Sequence, residues 1–196
     1  STFLDQKILS NSMKVKIAIE IAFGMSYIHK IGMIHRDLSI KNIKLNQKFE
    51  AKICNFGQAH LHESIQNETI IEMTKNIGDF VFMSPEMQND DDDDDYDNKT
   101  DVYSFGVILY KMFSGDFPKI TISDIINKVS PKFPSSSPFI SDCCIELIKM
   151  CMSYDPIQRP SFDQILEYMQ KNSFSLTEKV DVEMISQRFE SLNQFK

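Results

Sequence analysis

The sequence lacks any apolar run near the roughly 18 residues a membrane-spanning helix needs, which excludes a helical span. Its first twenty residues, STFLDQKILSNSMKVKIAIE, have no basic start, apolar centre or cleavage site, so they do not read as a signal peptide. There is no CxxC pair among Cys54, Cys143, Cys144 and Cys151, and His29, His35, His60 and His62 supply no zinc-finger spacing. Cys143, Cys144 and Cys151 share one apolar segment. Buried, reduced thiols are therefore expected, and with them an intracellular, cytoplasmic setting. Positive charge is also in deficit. A formal net charge of −7 disfavours a nucleic-acid binder held by phosphate contacts. Much of that charge is local, in the unbroken run Asp90 to Asp95 followed by Asp97. Calcium loops need spaced ligands and a glycine, and the run has neither, so a solvated, self-repelling loop is expected.

No internal repeat divides the 196 residues, a length sufficient for one domain with a substantial core. From Met13 the apolar residues Ile17, Ile21, Met25 and Ile28 recur at helical spacing, with Ser12 placed to cap the start and Gly32 to close the end. Met33-Ile34 is strand-like. Asn42 to Leu45 and Glu50 to Cys54 flank a polar turn and predict a hairpin. Residues 58 to 82 are polar and aperiodic, which predicts one long loop. Asp101 to Phe113 is apolar on nearly every face, so this helix belongs at the domain centre, ending at Gly115.

Shorter helices are expected at Asp124 to Val129, Asp142 to Met152 and Phe162 to Gln170, capped by Ser123, Ser141 and Ser161. Ser175-x-x-Glu178 is a capping-box pattern opening a last amphipathic helix to about Leu192. The expected fold is mainly α with one small hairpin.

Five motifs then stand in order: His35-Arg36-Asp37-Leu38-Ser39-Ile40-Lys41-Asn42, Asn55-Phe56-Gly57, Ser84-Pro85-Glu86, Asp101-Val102-Tyr103-Ser104-Phe105-Gly106, and Asp155-Pro-Ile-Gln-Arg159-Pro. Together they make residues 1–172 resemble the C-terminal lobe of a eukaryotic protein kinase, most like the tyrosine-kinase-like group. Residues 173–196 then form a C-terminal helical extension.

The resemblance implies MgATP-dependent phosphorylation of Ser or Thr, or of Tyr, in a protein substrate. Phosphoryl transfer rests on positioning and charge neutralisation, so one tight loop must present its groups together. By resemblance, Asp37 would take the substrate hydroxyl proton and Asn42 would hold magnesium. Lys41 stands where tyrosine kinases carry an Arg, and could reach the γ-phosphate. Ser39 stands where serine/threonine kinases usually have Lys. Arg36 would pair with a phosphorylated acceptor, for which Ser64, Thr69 and Thr74 are candidates. Glu86 and Arg159 match a buried ion pair, and Asp101 would brace the loop containing His35 by accepting backbone N–H groups.

Three departures weigh against catalysis. Asn55 replaces the family's magnesium-binding Asp, keeping an oxygen but losing a charge. Asp79 replaces the usual Thr and would face Asp37 with a second carboxylate. Nothing in residues 1 to 34 resembles a glycine-rich strand-loop or a V-A-I-K lysine, so the N-lobe is expected to be absent. Binding of ATP and Mg2+ by this chain alone is accordingly expected to be poor. The competing expectation is a pseudokinase or truncated lobe that docks a partner protein. Its candidate surfaces are Asp124 to Lys128 and the last helix, through Val180, Met184, Ile185 and Phe189. Packing of that helix on its own domain is the other reading.

Overall fold

Helix α1, Asn11–Lys30, is apolar on most of its circumference and is covered accordingly, with Val15, Ile17, Ala18, Ile19, Ile21, Ala22 and Met25 fully buried. The computed structural model describes residues 9–61, 81–88, 97–121, 124, 129, 131–133, 140–172 and 175–194. Ser10 caps α1, its side chain accepting from the N–H of Met13. Ser12, expected in that role, is the second residue of the helix, and its buried hydroxyl is claimed by the N–H of Asp181 at 2.7 Å. Gly32 follows the helix at φ +76°, a left-handed position that glycine adopts without a Cβ clash.

Strand β1, Met33–Ile34, pairs antiparallel with β4, His60–Leu61. The polar stretch from residue 58 therefore begins with a short strand, where the sequence predicts only loop. Two backbone pairings suffice to hold a strand that brief, and no side-chain period can announce it. Strands β2, Ile43–Leu45, and β3, Ala51–Ile53, form the expected hairpin, with Ile43 opposite Ile53 and Leu45 opposite Ala51.

Helix α2, Lys99–Ser114, is the central rod, buried at thirteen successive or near-successive positions from Thr100 to Phe113 and ended by Gly115 at φ +97°. Helix α3, Asp142–Cys151, packs along α2, and α4, Phe162–Asn172, packs along α1. Ser141 caps α3. Ser161 and Gln164 cap α4 reciprocally, each side chain accepting from the other's N–H. Phe162 links the layers, its ring edge-on to Phe105 at 5.4 Å and to His29 at 5.0 Å.

The last helix, α5, spans Val182–Asn193 and is capped by Asp181, which accepts from the N–H of Met184 at 3.0 Å. The box at Ser175 and Glu178 does not open it. Leu176 and Thr177 are buried there, and Lys179 takes a left-handed φ of +55°, which interrupts any helix. Ile185 is fully buried, with Val180, Met184 and Phe189 packed on the same core. These side chains pack within the domain, which agrees with the reading of this helix as part of its own core and leaves less of them for a docking face. Cys144 and Cys151 are buried free thiols, while Cys143 is only half-buried. No described helix is long and apolar enough to cross a membrane.

Candidate active site

Residues 35–42 form a crossing loop pinned from below by its own apolar side chains. Leu38 and Ile40 are buried, while Asp37, just before them, stays half-exposed. The loop's backbone is held by a single carboxylate. Asp101, in the first turn of α2, accepts from the N–H of His35 at 2.8 Å and of Arg36 at 2.9 Å. A carboxylate in the first turn of a helix also meets the favourable end of the helix dipole. His29 at the end of α1 contacts the same carboxylate at 2.9 Å. That residue was not singled out from the sequence. Its only signal was a histidine next to the buried stripe of α1.

His35 is fully buried, and its ring is oriented by two bonds. Nδ1 accepts from the N–H of Asp37 at 3.3 Å, which leaves Nε2 to donate to the carbonyl of Cys54, also at 3.3 Å. This couples the loop to the end of β3. The Phe56 ring lies 5.0 Å from His35 and remains 43% exposed. Arg36 sits at φ +62°, an uncommon region for a long side chain, with its own N–H and that of His35 both held by Asp101.

Three side chains converge at the exposed end. Asn42 donates from Nδ2 to the Asp37 carbonyl at 2.7 Å and to Asp37 Oδ2 at 2.8 Å. Because a carbonyl only accepts, this fixes the Asn42 amide and turns its Oδ1 toward Asn55. Asn55 Nδ2 answers by donating to Asn42 Oδ1 and to Asp37 Oδ2, both at 3.2 Å. Asn55 reaches this position from a left-handed φ of +69°, which asparagine tolerates better than most residues. Lys41 is exposed on the same turn. Buried Arg36 Nε and Ser39 Oγ, on either side of Asp37, have no hydrogen-bond partner.

This donor set does not suit a divalent cation as it stands. Magnesium sites draw on carboxylates and need oxygen atoms facing the ion. Among the described residues Asp37 is the one carboxylate here, and Asn55 turns its NH2 group, a donor, into the space between Asp37 and Asn42. Among the described residues no group of three or more His, Cys, Asp or Glu side chains could hold a metal.

Below the loop, Arg159 is fully buried and uses all five of its donors. Nη1 and Nη2 grip Glu86 at 2.6 and 2.8 Å, and the others reach the carbonyls of Lys99, Tyr154 and Ser153. Lys99 Nζ donates back to the Arg159 carbonyl, and the guanidinium lies 5.2 Å from the Tyr103 ring centre. Burial, opposed by that nearby guanidinium, pushes the Tyr103 hydroxyl up to about 12. Ser64, Thr69, Thr74, Asp79 and the run Asp90 to Asp95 lie outside the described residues, as do residues 125–128. Asp124 is occupied locally, accepting from the N–H and the hydroxyl of Thr121 at 2.9 and 2.6 Å.

Comparison with known proteins adds a family. The model of protein tyrosine and serine/threonine kinases matches residues 1–169. A probable serine/threonine-protein kinase of Dictyostelium discoideum is 36% identical over 161 residues, covering 79% of this chain and 16% of that protein. The serine/threonine/tyrosine-protein kinase HT1 of Arabidopsis thaliana is 32% identical over 170 residues, covering 83% of this chain and 41% of its own length. The eIF-2-alpha kinase GCN2 of Schizosaccharomyces pombe is 33% identical over 161 residues, covering 76% and 10%. The chain thus spans less than half the length of each of these relatives.

Proposed function

Since the chain belongs to the protein tyrosine and serine/threonine kinase family, we propose that it is the catalytic-loop part of a protein phosphotransferase of the tyrosine-kinase-like group, acting on Ser or Thr hydroxyls. The family implies ATP, Mg2+ and protein substrates in general. The observation that carries the proposal is Asp37, held at the exposed end of a loop whose backbone is braced by Asp101 and whose far side is tied by Asn42. A carboxylate so placed can accept the proton of an incoming hydroxyl as the oxygen attacks phosphorus. Lys41, exposed on the same turn, would offset charge on the transferred group. The unpartnered Nε of Arg36 supports a pairing with a phosphorylated Ser64, Thr69 or Thr74. The reaction also needs a phosphate cradle and lysine beyond the motifs found in residues 1–196.

A second reading has its own observation. The inward NH2 of Asn55 favours a catalytically impaired member that works by binding another protein. One assay separates the two. Purified full-length protein is given labelled ATP, Mg2+ and a mixed peptide library, with Asp37→Asn as the blank. Transfer that disappears in the variant supports the phosphotransferase. Equal signals from both proteins would overturn it and leave the binding reading.

A further inference from the structure

The segment after residue 169 lies beyond the family match, yet it is joined to the hairpin that two of the three site residues flank. The joint is Glu20, on α1, whose side chain is 2% exposed. Its Oε2 accepts from the N–H of Ala51, the first residue of β3, at 2.6 Å. Its Oε1 lies 3.0 Å from Lys16 Nζ and 2.7 Å from Arg188 Nε on α5. Both are charge contacts rather than aligned hydrogen bonds, since Oε1 and Nε lack a partner of good hydrogen-bond geometry. Lys16 also donates to the Phe49 carbonyl at 2.9 Å, and Phe49 is the turn residue at φ +55°. One buried carboxylate therefore gathers the helix α1, the hairpin turn, the start of β3 and the C-terminal helix.

The hairpin leads directly to the site. Strand β2 begins at the residue after Asn42, and β3 ends two residues before Asn55. The N–H of Cys54 closes the ladder on the carbonyl of Asn42 at 2.9 Å. From Ala51 to Asn55 is four residues, a rigid reach of about 13 Å at strand rise. Ile53, midway, is paired with Ile43 of β2 and packs against the core. A shift at Ala51 has little room to dissipate before it reaches Asn55.

We propose that Glu20 and Arg188 are positioning residues for the Asp37–Asn42–Asn55 cluster, which makes the C-terminal helix part of the functional unit. The proposal rests on the reading of that cluster as the reaction centre, but its test does not require phosphate transfer. Arg188 draws Glu20 toward α5 and sets where Oε2 meets Ala51. Without that cation, Glu20 answers to Lys16 alone, and the hairpin loosens at its base.

The test is nuclear magnetic resonance of the side-chain amides of Asn42 and Asn55, with hydrogen exchange of residues 43–55, on the full chain. Arg188→Met should shift or broaden both side-chain amides and speed exchange in the hairpin about tenfold. Arg188→Lys, which keeps a cation there, should restore much of the original signal. Tyr168→Phe serves as control, since it removes bonds to Cys143 and Glu146 between α3 and α4. It should leave the two amides unmoved. Arg188→Met spectra with α5 exchanging faster but both site amides unchanged would overturn the proposal. So would equal movement in Tyr168→Phe, which would mark a general loss of stability.

Discussion

Asn55 shows how a change of one atom alters what a site can hold. With an amide, Asp37 and Asn42 are satisfied by hydrogen bonds alone. Asn55→Asp removes both donated bonds and sets a second carboxylate against Asp37. We expect a loss of about 1–2 kcal/mol in magnesium-free buffer, recovered by millimolar Mg2+, whereas the wild-type melting temperature ignores Mg2+. Thermal melts of both proteins with and without the ion decide this. A wild type that Mg2+ stabilises as much as the variant would show that the amide turns its oxygen inward at little cost. Arg159 illustrates the opposite case, a charge with every donor occupied. Arg159→Ala leaves Glu86 without its cation and empties a buried site, a cost of about 3–5 kcal/mol that denaturant titration would register. At this scale the sequence was informative where chemistry dictates the residue type. It could not show that Asn55 would present nitrogen rather than oxygen, because that orientation follows from the Asp37 carbonyl acting through Asn42.

Between elements, a close approach falls at a glycine in the middle of α2. A Cβ on Gly106 would lie 2.6 Å from Met152 Cγ and 2.9 Å from Cys151 Cβ, so α2 and α3 touch nearly backbone to backbone. Gly106→Ala should destabilise the protein by about 1–3 kcal/mol through overpacking. Gly24→Ala should be close to neutral. Its added carbon meets only the flexible tip of Ile53, and the gain in helix propensity, about 1 kcal/mol, offsets the adjustment. Urea titrations of the two variants would show the contrast, and equal losses would refute it. Helices α1 to α4 were legible because their apolar spacing and flanking Ser or Gly residues are local signals. The caps were less so. Ser10 rather than Ser12 opens α1 because the N–H of Asp181 claims the Ser12 hydroxyl, and Asp181 rather than Ser175 opens α5 because the backbone turns left-handed at Lys179. Strand β4 had no pattern to read.

For the molecule as a whole, the groups that respond to pH point toward alkaline weakness. Burial pushes the Cys144 thiol up to about 12 from 9.0 and raises Cys151 further still, and Tyr103 rises to about 12 from 10.0. A group that ionises later when folded contributes stability that is complete below its unfolded value. That contribution is lost as pH climbs through the folded one. Stability should therefore fall steadily from about pH 9 upward, and Cys144→Ala should flatten part of the slope. Lys14 opposes this, since burial lowers its pKa, but it is one group against five, because burial also raises the Tyr110 and Tyr168 hydroxyls. Urea titrations across pH 7 to 11 would measure the slope, and a flat profile would contradict the assignment. The same burial predicts that native Cys144 and Cys151 resist thiol reagents that reach Cys54 and Cys143.

What the sequence determined by itself was the residue chemistry and its order along the chain. Five motifs at family distances, a central helix apolar on every side, and a hairpin between Asn42 and Asn55 are all statements about neighbours in sequence. Only the tertiary structure decided which distant groups meet. It brought Asp101 under His35 and Arg36, aimed the Asn55 amide between two acceptors, and locked the C-terminal helix through Arg188 onto Glu20. The physical reason is range. Helix periods, caps and turn chemistry act over a few residues, while a buried carboxylate takes whichever partners the packed chain carries to within 3 Å of it.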